Sequence, residues 1–531
     1  MEKNGQELRE SETFVQLLDE VLETHLHPQD SYEIAALLES MGWNDDRAAK
    51  EFGVKDIFDL ADQMWDALQT KIGYKQFSDE EKQSTSFLLI TMIRSFLRGL
   101  IFAFPMAISI AAMLNLKFSL WSYQYLSLEQ ATSIAIGTIL SFVLVGGFTQ
   151  AIARRGYFYM IQGYYNLARK NTFIFIGIGF VMCFLFSLLI IVLNVIFNLF
   201  SYDMLFLIVV FFFFLTSIWL SVTVMYVLKK EIVFTGLIIF GIFLVYVFFV
   251  LFEINIIISQ LISLTIVSIC SLLLVLFFFK AAAKRNEKEV SKLPRFSITL
   301  YTVWPYFFYG FLYFSFLFID RVNAWSKNEE FMPYVIWFRG QYELGLDFAL
   351  LTIIIPMGVS EVVVNRLMFD LESSQKNYLA SESHKLYDKF LKVYKRMTFF
   401  ILISSVISSF LIYRLIVWYN DVSIRMNNEN ILENEVTVFV LFWGIVSYGI
   451  LAFSLMNIVI LFALSQPNRV LKAIIPALLT NMIVGFLLSR WFDYHFAVFG
   501  LFIGSILLFY LTTKAVVEVL KNLDYYLYAA S

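Results

Sequence analysis

Residues 320–366 read DRVNAWSKNEEFMPYVIWFRGQYELGLDFALLTIIIPMGVSEVVVNR, and their second half is apolar and long enough to cross a bilayer. This half nevertheless carries Arg339, Glu343, Asp347 and Glu361. The first three follow at i, i+4 and i+8, so one helix would place them on a single stripe, and Glu361 returns to the same face about four turns later. A carboxylate at the centre of a membrane helix costs about 2.5–3.5 kcal/mol, which favours a stripe facing protein or water. Two interpretations stay open: a polar path, or charges that extend to the lipid headgroups.

The composition of the whole chain indicates a polytopic membrane protein. Of 531 residues, 59% are hydrophobic and only 16% are charged, against roughly 25% charged in soluble domains. Cys183 and Cys270 are isolated in apolar runs, so no disulfide or metal site is predicted.

Apolar runs of about 20 residues recur from Phe87 onward and predict an all-α membrane domain of about twelve transmembrane helices. The predicted spans are 92–116, 128–153, 172–198, 204–228, 231–251, 255–279, 297–319, 343–365, 398–419, 436–462, 470–489 and 495–517.

The loops between these spans differ in charge. Alternate loops are basic, with Arg154, Arg155 and the cluster from Lys280 to Arg295 among them, whereas the opposite loops are nearly uncharged or acidic. With an even number of spans, the positive-inside rule therefore predicts that both termini face the cytoplasm.

Five segments are predicted along the chain. Residues 1–82 carry 20 Asp/Glu against 8 Lys/Arg, a net charge of −12, and show helical patterns with caps at Asp30 and Asn44. The segments are an acidic cytosolic helical domain (1–86), a first six-helix bundle (87–280), a basic cytosolic linker (281–296) and a second six-helix bundle (297–531), which contains a cytosolic amphipathic segment (366–397).

Each predicted bundle opens with a helix that contains a proline, Pro105 in the first and Pro305 in the second. Proline frees a backbone carbonyl and kinks a membrane helix, so these positions and Pro356 are candidate hinges. A duplicated six-helix unit favours alternating access between two bundles, although a chance match of prolines is the alternative.

Sequence motifs of common enzymes are absent. The chain has no GxxxxGK[ST], HExxH, CxxC or GxSxG pattern, so we expect no enzymatic activity, no cofactor and no metal. A substrate would be moved and not chemically changed. We expect no nucleic-acid partner.

Several segments between residues 88 and 531 resemble a known family. GYYNLARK after the second span, FLYFSFLFIDRVNAWS at the seventh, IWFRGQYELGLDFALL and the closing NLDYY are similar to PelG-type exporters of the cationic biofilm polysaccharide Pel. These exporters are part of the multidrug/oligosaccharidyl-lipid/polysaccharide flippase superfamily. The acidic residues 1–82 depart from the usual exporter, which begins near its first membrane helix.

The resemblance implies a translocation path between two bundles, an amino-sugar-rich exopolysaccharide as substrate, and a cytosolic PelF-like glycosyltransferase within a synthase complex. Carboxylates would suit a cationic polymer, and aromatic rings could stack on sugar faces. The path candidates are Asp320, Trp325, Trp337, Arg339, Tyr342, Glu343, Asp347 and Glu361.

Other interpretations of these residues remain open. Asp320–Arg321 and Arg339–Glu343 would be ion pairs that fix loop geometry, and the aromatic residues an interfacial belt. The basic residues Arg94, Arg98, Arg154 and Arg155 are candidates for a cytosolic mouth, although determinants of topology are the simpler interpretation.

Three functions follow from the sequence. The first is export of an exopolysaccharide that supports a biofilm matrix. The second is an ion-coupled antiporter for small molecules or lipid-linked oligosaccharides in the same superfamily. The third is a membrane scaffold or sensor that transports nothing and recruits a partner through residues 1–82.

Overall fold

The computed structural model describes residues 12–24, 30–78, 85–283, 295–328, 334–375, 383–426, 430–523 and 525–526. These residues are almost entirely α-helical, and their one β-bridge joins Phe118 to Tyr123. The chain forms two compact units, residues 1–90 with 373–377 and residues 91–372 with 378–531.

The first unit contains four helices, α1 (Glu12–Thr24), α2 (Ser31–Ser40), α3 (Asp45–Phe52) and α4 (Ile57–Ser78). The predicted caps are confirmed, because Asp30 accepts a hydrogen bond from the Glu33 amide at 2.8 Å and Asn44 accepts one from the Arg47 amide at 2.9 Å. Gly53 ends α3 in the left-handed conformation. The core of this unit is apolar and includes Phe14, Ile34 and Leu60.

The second unit holds the membrane helices, and each lies where an apolar run predicted one. In the described residues, eleven segments are long and apolar enough to span a membrane, and a bent pair in α5 makes a twelfth. One of the eleven, Gly340–Leu371, consists of two helices, α12 and α13, so the twelve spans comprise thirteen helices. The bounds are α5 (Thr85–Leu116), α6 (Leu128–Ile161), α7 (Tyr165–Phe197), α8 (Tyr202–Val227), α9 (Glu231–Tyr246, extended by a π-turn to Leu251), α10 (Ile256–Ala283), α11 (Phe296–Trp325), α12 (Gly340–Leu350), α13 (Ile354–Gln375), α14 (Ser383–Arg425), α15 (Glu435–Ala463), α16 (Pro467–Trp491) and α17 (Val498–Lys521).

The candidate hinge prolines differ in their effect on the helices. Helix α5 bends by 50° between Ile101 and Phe104, immediately before Pro105. Helix α11 continues through Pro305 without interruption, so the two halves do not share a broken first helix. Pro356 follows a 3₁₀ turn, Leu351–Ile353, which separates α12 from α13.

In the described residues, the predicted cytosolic amphipathic segment (366–397) is not a separate helix. Residues 366–375 continue α13 and residues 383–397 form the first turns of α14, so the described parts of the segment are extensions of membrane helices. The apolar side of this extension is buried in the protein, where Phe390 is fully buried and Tyr394 donates to Asn457 at 2.8 Å. Its exposed side carries Lys389 and Lys392.

Two glycine crossings join the first half of the membrane unit, α5 to α10, to the second half, α11 to α17. A Cβ on Gly99 of α5 would lie 2.7 Å from the Gly358 Cα of α13, and one on Gly147 of α6 would lie 2.9 Å from the Phe307 carbonyl of α11. A Cβ on Gly310 would collide with the Gly146 carbonyl. Only glycine permits so close an approach of two helices.

The two crossings are related by a constant sequence offset. Gly310 follows Gly99 by 211 residues, and Gly358 follows Gly147 by the same 211 residues. This symmetry supports two related halves more directly than Pro105 and Pro305 do.

We call the bundle end that holds the last turn of α11 the Trp325 end, and the opposite end, which holds the last turns of α6, the Arg154 end.

Candidate functional site

A buried guanidinium lies at the centre of the charged residues near the Trp325 end. Arg321 of α11 donates to the carboxylates of two residues of α12, to Glu343 and, at 3.0 Å, to Asp347. The side chains of Arg321 and Glu343 are each only 7% exposed, whereas the Asp347 side chain is 46% exposed. Arg321 therefore ties α11 to α12, with Asp347 at the accessible edge of the cluster.

Two aromatic side chains complete the hydrogen bonds of the buried carboxylates. The indole of Trp325 donates to Glu343 at 2.8 Å, and the hydroxyl of Tyr342 donates to Asp320 at 2.9 Å. Tyr448 of α15 also contacts Arg321. The structure thus brings together five predicted path residues, Asp320, Trp325, Tyr342, Glu343 and Asp347, in one group that we call the Arg321 cluster.

The Arg321 cluster contains three carboxylates, those of Asp320, Glu343 and Asp347, but only one cation, the guanidinium of Arg321. The Asp320 Oδ1 and the Arg321 Nε are buried and have no hydrogen-bond partner among the described residues. Buried polar atoms usually have a partner, so these two are the unsatisfied positions of the cluster. An additional cation or hydrogen-bond donor would be stabilised beside these carboxylates.

The Arg321 cluster lies beside the contact between the two halves. The Arg321 guanidinium is 5.4 Å from the centre of the Phe318 ring, and Phe318 stacks on Phe142 of α6 with ring centres 5.6 Å apart. Arg321, which holds Asp347, therefore lies next to an aromatic contact between the two halves.

Arg339 and Trp337 lie outside the cluster, in the segment before α12. The Arg339 guanidinium lies between two rings, 3.5 Å from the centre of Trp337 and 4.2 Å from that of Tyr494. It also donates to the Lys327 carbonyl at 3.1 Å. This arrangement joins the segment before α12 to the α16–α17 connection and places Arg339 off the predicted stripe.

Glu361 is separated from the cluster by the 3₁₀ turn and lies on α13. Its carboxylate accepts a hydrogen bond from Asn365 at 3.2 Å, and Asn365 also donates to Ser95 of α5 at 3.4 Å. Glu361 is therefore near the α5–α13 crossing, and the predicted stripe is divided between two ends of the bundle.

The halves touch at the Trp325 end. The Tyr334 hydroxyl donates to the Glu129 carboxylate of α6 at 2.6 Å, and the Phe338 amide donates to the Thr132 hydroxyl at 3.0 Å. The hydrogen bond to Glu129 raises the pKa of Tyr334 above its ordinary value.

The halves also touch at the Arg154 end. Arg154 of α6 lies 5.0 Å from the centre of the Tyr306 ring and reaches Ser465 at 3.5 Å, while Arg155 donates to Thr302. Arg154 and Arg155 therefore join the two halves, a role that the sequence did not predict. Arg94 is exposed and Arg98 half-buried on α5.

The role of Arg321 at the centre of the cluster was missed from the sequence, as were Tyr448 and Glu129. The available signal was an arginine beside Asp320 within an apolar run, because such a charge must find partners on another helix. The described residues contain no group of three His, Cys, Asp or Glu side chains able to hold a metal ion.

Comparison with solved structures defines the fold class. No family model matches the sequence, and no curated protein matches it. The structure is similar to the MATE transporter VcmN of Vibrio cholerae, with a TM-score of 0.55, 14% identity, and coverage of 84% of this chain and 100% of that one. It is also similar to the eukaryotic MATE transporter AtDTX14, with a TM-score of 0.55, 12% identity, and coverage of 82% and 99%.

A third similar structure is a MOP superfamily transporter from Pyrococcus furiosus, with a TM-score of 0.53, 13% identity, and coverage of 80% of this chain and 96% of that one. The chain is a multi-pass membrane protein with a MATE-like transporter fold. This fold is found in transporters that move a substrate across a membrane.

Proposed function

We propose that the protein exports an exopolysaccharide through the bacterial cytoplasmic membrane, and that the substrate is a Pel-like polymer rich in amino sugars. The protein would act as a transporter without enzymatic activity. A cytosolic glycosyltransferase would supply the growing chain, and both termini of the protein would face the cytoplasm.

The observation that carries this proposal is the half-exposed Asp347 carboxylate, held by Arg321 beside the contact between the halves. In transporters built from two repeats, the substrate site lies at the interface of the repeats. A protonated amino sugar would pair with Asp347 and compete with Arg321 for its carboxylate. The segments similar to PelG-type exporters, including IWFRGQYELGLDFALL, contain these same residues.

The excess of carboxylates in the Arg321 cluster also favours a second candidate function. A site with three carboxylates and one guanidinium binds a cation or a proton, as an ion-coupled antiporter of the MOP superfamily requires. Such an antiporter would move a small molecule or a lipid-linked oligosaccharide in purified vesicles, without a synthase partner.

The experiment uses a strain that lacks the protein and is complemented with wild type, Asp347→Asn or Glu361→Gln. We expect extracellular amino-sugar polymer to be lost in the deletion strain and in Asp347→Asn, and to be kept in Glu361→Gln, whose carboxylate is away from the cluster. Equal amounts of each variant in the membrane fraction are the control for folding.

Full secretion of the polymer by the deletion strain would refute polysaccharide export. The antiporter function would then be tested by ion-driven uptake into vesicles that contain only the purified protein. Loss of the polymer on deletion, with full rescue by Asp347→Asn, would keep export but remove the Arg321 cluster from the path.

A further inference from the structure

An apolar cavity of about 270 Å³ lies between the two halves at the Trp325 end. Ile139 of α6 and Leu193 of α7 line it from the first half, and Val322 and Trp325 of α11 line it from the second half. Phe200 and Ile336 belong to the segments that border it at this end. The volume is close to the lower limit of ligand pockets, roughly 300–1,000 Å³.

The cavity offers no free polar group to a ligand. Its two residues with polar side-chain atoms are Asn194 and Trp325. The Asn194 amide donates to the Phe200 carbonyl at 3.1 Å and accepts from the Phe200 amide at 2.8 Å. The Trp325 indole donates to Glu343. A cavity of this kind stays free of water and binds apolar molecules, so a sugar would lose its hydrogen bonds on entering.

The wall formed by α7 continues onto the lipid-facing surface. Leu193, which lines the cavity, is itself 36% exposed, and its neighbours Val195 and Ile196 are each 65% exposed. Helix α7 is one of the membrane-spanning helices, so hydrocarbon surrounds these exposed side chains. The apolar molecule with direct access to the cavity is therefore a lipid.

We propose that the hydrocarbon chain of a membrane lipid occupies this cavity and packs against both halves. The residues that line the cavity come from both halves. The hydrocarbon chain of the lipid therefore contacts the whole lining only while the halves are together at the Trp325 end. The bound lipid therefore stabilises the conformation in which Tyr334 contacts Glu129, since a ligand favours the state to which it binds better. The cavity shares Trp325 with the Arg321 cluster, through the indole that donates to Glu343, but the proposal does not depend on the proposed substrate.

The experiment uses the full-length protein in nanodiscs made with a phospholipid that carries a photoactivatable diazirine in its acyl chain. After illumination, mass spectrometry measures the adducts on the α11 peptide that contains Val322 and Trp325. Ile139→Trp fills the cavity, and Val195→Trp places the same ring on the lipid-facing side of α7 as the matched control.

We expect adducts on the α11 peptide in wild type and Val195→Trp, and a several-fold lower yield in Ile139→Trp with unchanged adducts on the exposed face of α7. The smaller substitution Ile139→Phe is measured in parallel, with gel filtration as the test of folding. Absence of α11 adducts in wild type, or a yield that neither Ile139 substitution lowers, would overturn the proposal.

Discussion

Gly99 of α5 and Gly358 of α13 meet so closely that a Cβ on Gly99 would lie 2.7 Å from the Gly358 Cα and 3.0 Å from the Met357 carbonyl. These neighbours are backbone atoms, which cannot rotate away as a side chain does. The other crossing between the halves, from Gly147 and Gly146 to α11, also contains backbone contacts, and an offset of 211 residues relates Gly99 to Gly310 and Gly147 to Gly358. The two halves are therefore held together by backbone contact at two equivalent crossings.

The first prediction concerns the α5–α13 crossing. Gly99→Ala should separate the two helices and cost about 1–3 kcal/mol, which is typical of overpacking. The thermal unfolding temperature of the purified protein should fall and transport should be lost. Gly236→Ala is the matched control, because a Cβ at Gly236 of α9 would meet nothing within 4 Å. Equal unfolding temperatures for the two variants would contradict a tight crossing.

The second prediction concerns the charge balance around Arg321. Arg321→Gln leaves the buried Glu343 carboxylate without its cation and should destabilise the protein by about 3–5 kcal/mol. Adding Glu343→Gln should recover part of the loss, because the double variant no longer buries that charge. Thermal unfolding measures each variant.

Arg366→Gln is the control for the loss of an arginine. Arg366 pairs with Asp370 at 3.1 Å on an exposed helical turn, and such pairs contribute about 0–1 kcal/mol. If Arg321→Gln were no more destabilising than Arg366→Gln, Arg321 would not be the stabilising centre of the cluster.

The sequence predicted the membrane helices well and the charged site only in part. Apolar runs of about 20 residues located every membrane helix, because no other structure satisfies the backbone within hydrocarbon. The stripe Arg339–Glu343–Asp347–Glu361 assumed one continuous helix. In the structure, Arg339 precedes α12, and the turn before Pro356 separates Glu361 from Asp347.

The centre of the site escaped prediction because its partners come from different helices. Arg321 lies on α11, its two carboxylates on α12 and Tyr448 on α15. Local spacing describes neighbours on one helix, whereas these contacts depend on how the helices pack. The same holds for Arg154, whose charge indicated topology but whose contact with Tyr306 joins the halves.

The third prediction concerns the contact at the Trp325 end. Tyr334→Phe removes the hydroxyl that donates to Glu129 and should shift the population toward conformations open at this end. Spin labels at Tyr125 and Trp491, which are 61% and 70% exposed, would report a longer or broader distance distribution.

Tyr202→Phe serves as the control for the third prediction, because Tyr202 is an exposed tyrosine of the first half at the same end. It should leave the distance distribution unchanged. Distributions for Tyr334→Phe that match wild type would show that the hydrogen bond does not hold this end together.

The last prediction concerns the carbonyl that Pro356 leaves without a partner. Proline has no amide hydrogen, so the Thr352 carbonyl four residues earlier lacks its helical donor. The Ser408 hydroxyl of α14 donates to this carbonyl at 2.8 Å. Ser408→Ala should therefore destabilise the protein by about 1–3 kcal/mol, the cost of an unpaired buried group. Ser404→Ala is the control, because the Ser404 hydroxyl returns to the Ile401 carbonyl of its own helix at 2.9 Å.

A double-mutant cycle with Pro356→Ala tests the cause of this effect, because alanine restores an amide donor to the Thr352 carbonyl. Once that donor is present, loss of the Ser408 hydroxyl leaves no unpaired carbonyl. Ser408→Ala should therefore lower the free energy of unfolding by less in the Pro356→Ala background than in wild type. Thermal unfolding of the four proteins gives the coupling energy. A coupling of zero would mean that Ser408 stabilises α14 by packing alone, and that the carbonyl freed by Pro356 is satisfied in another way.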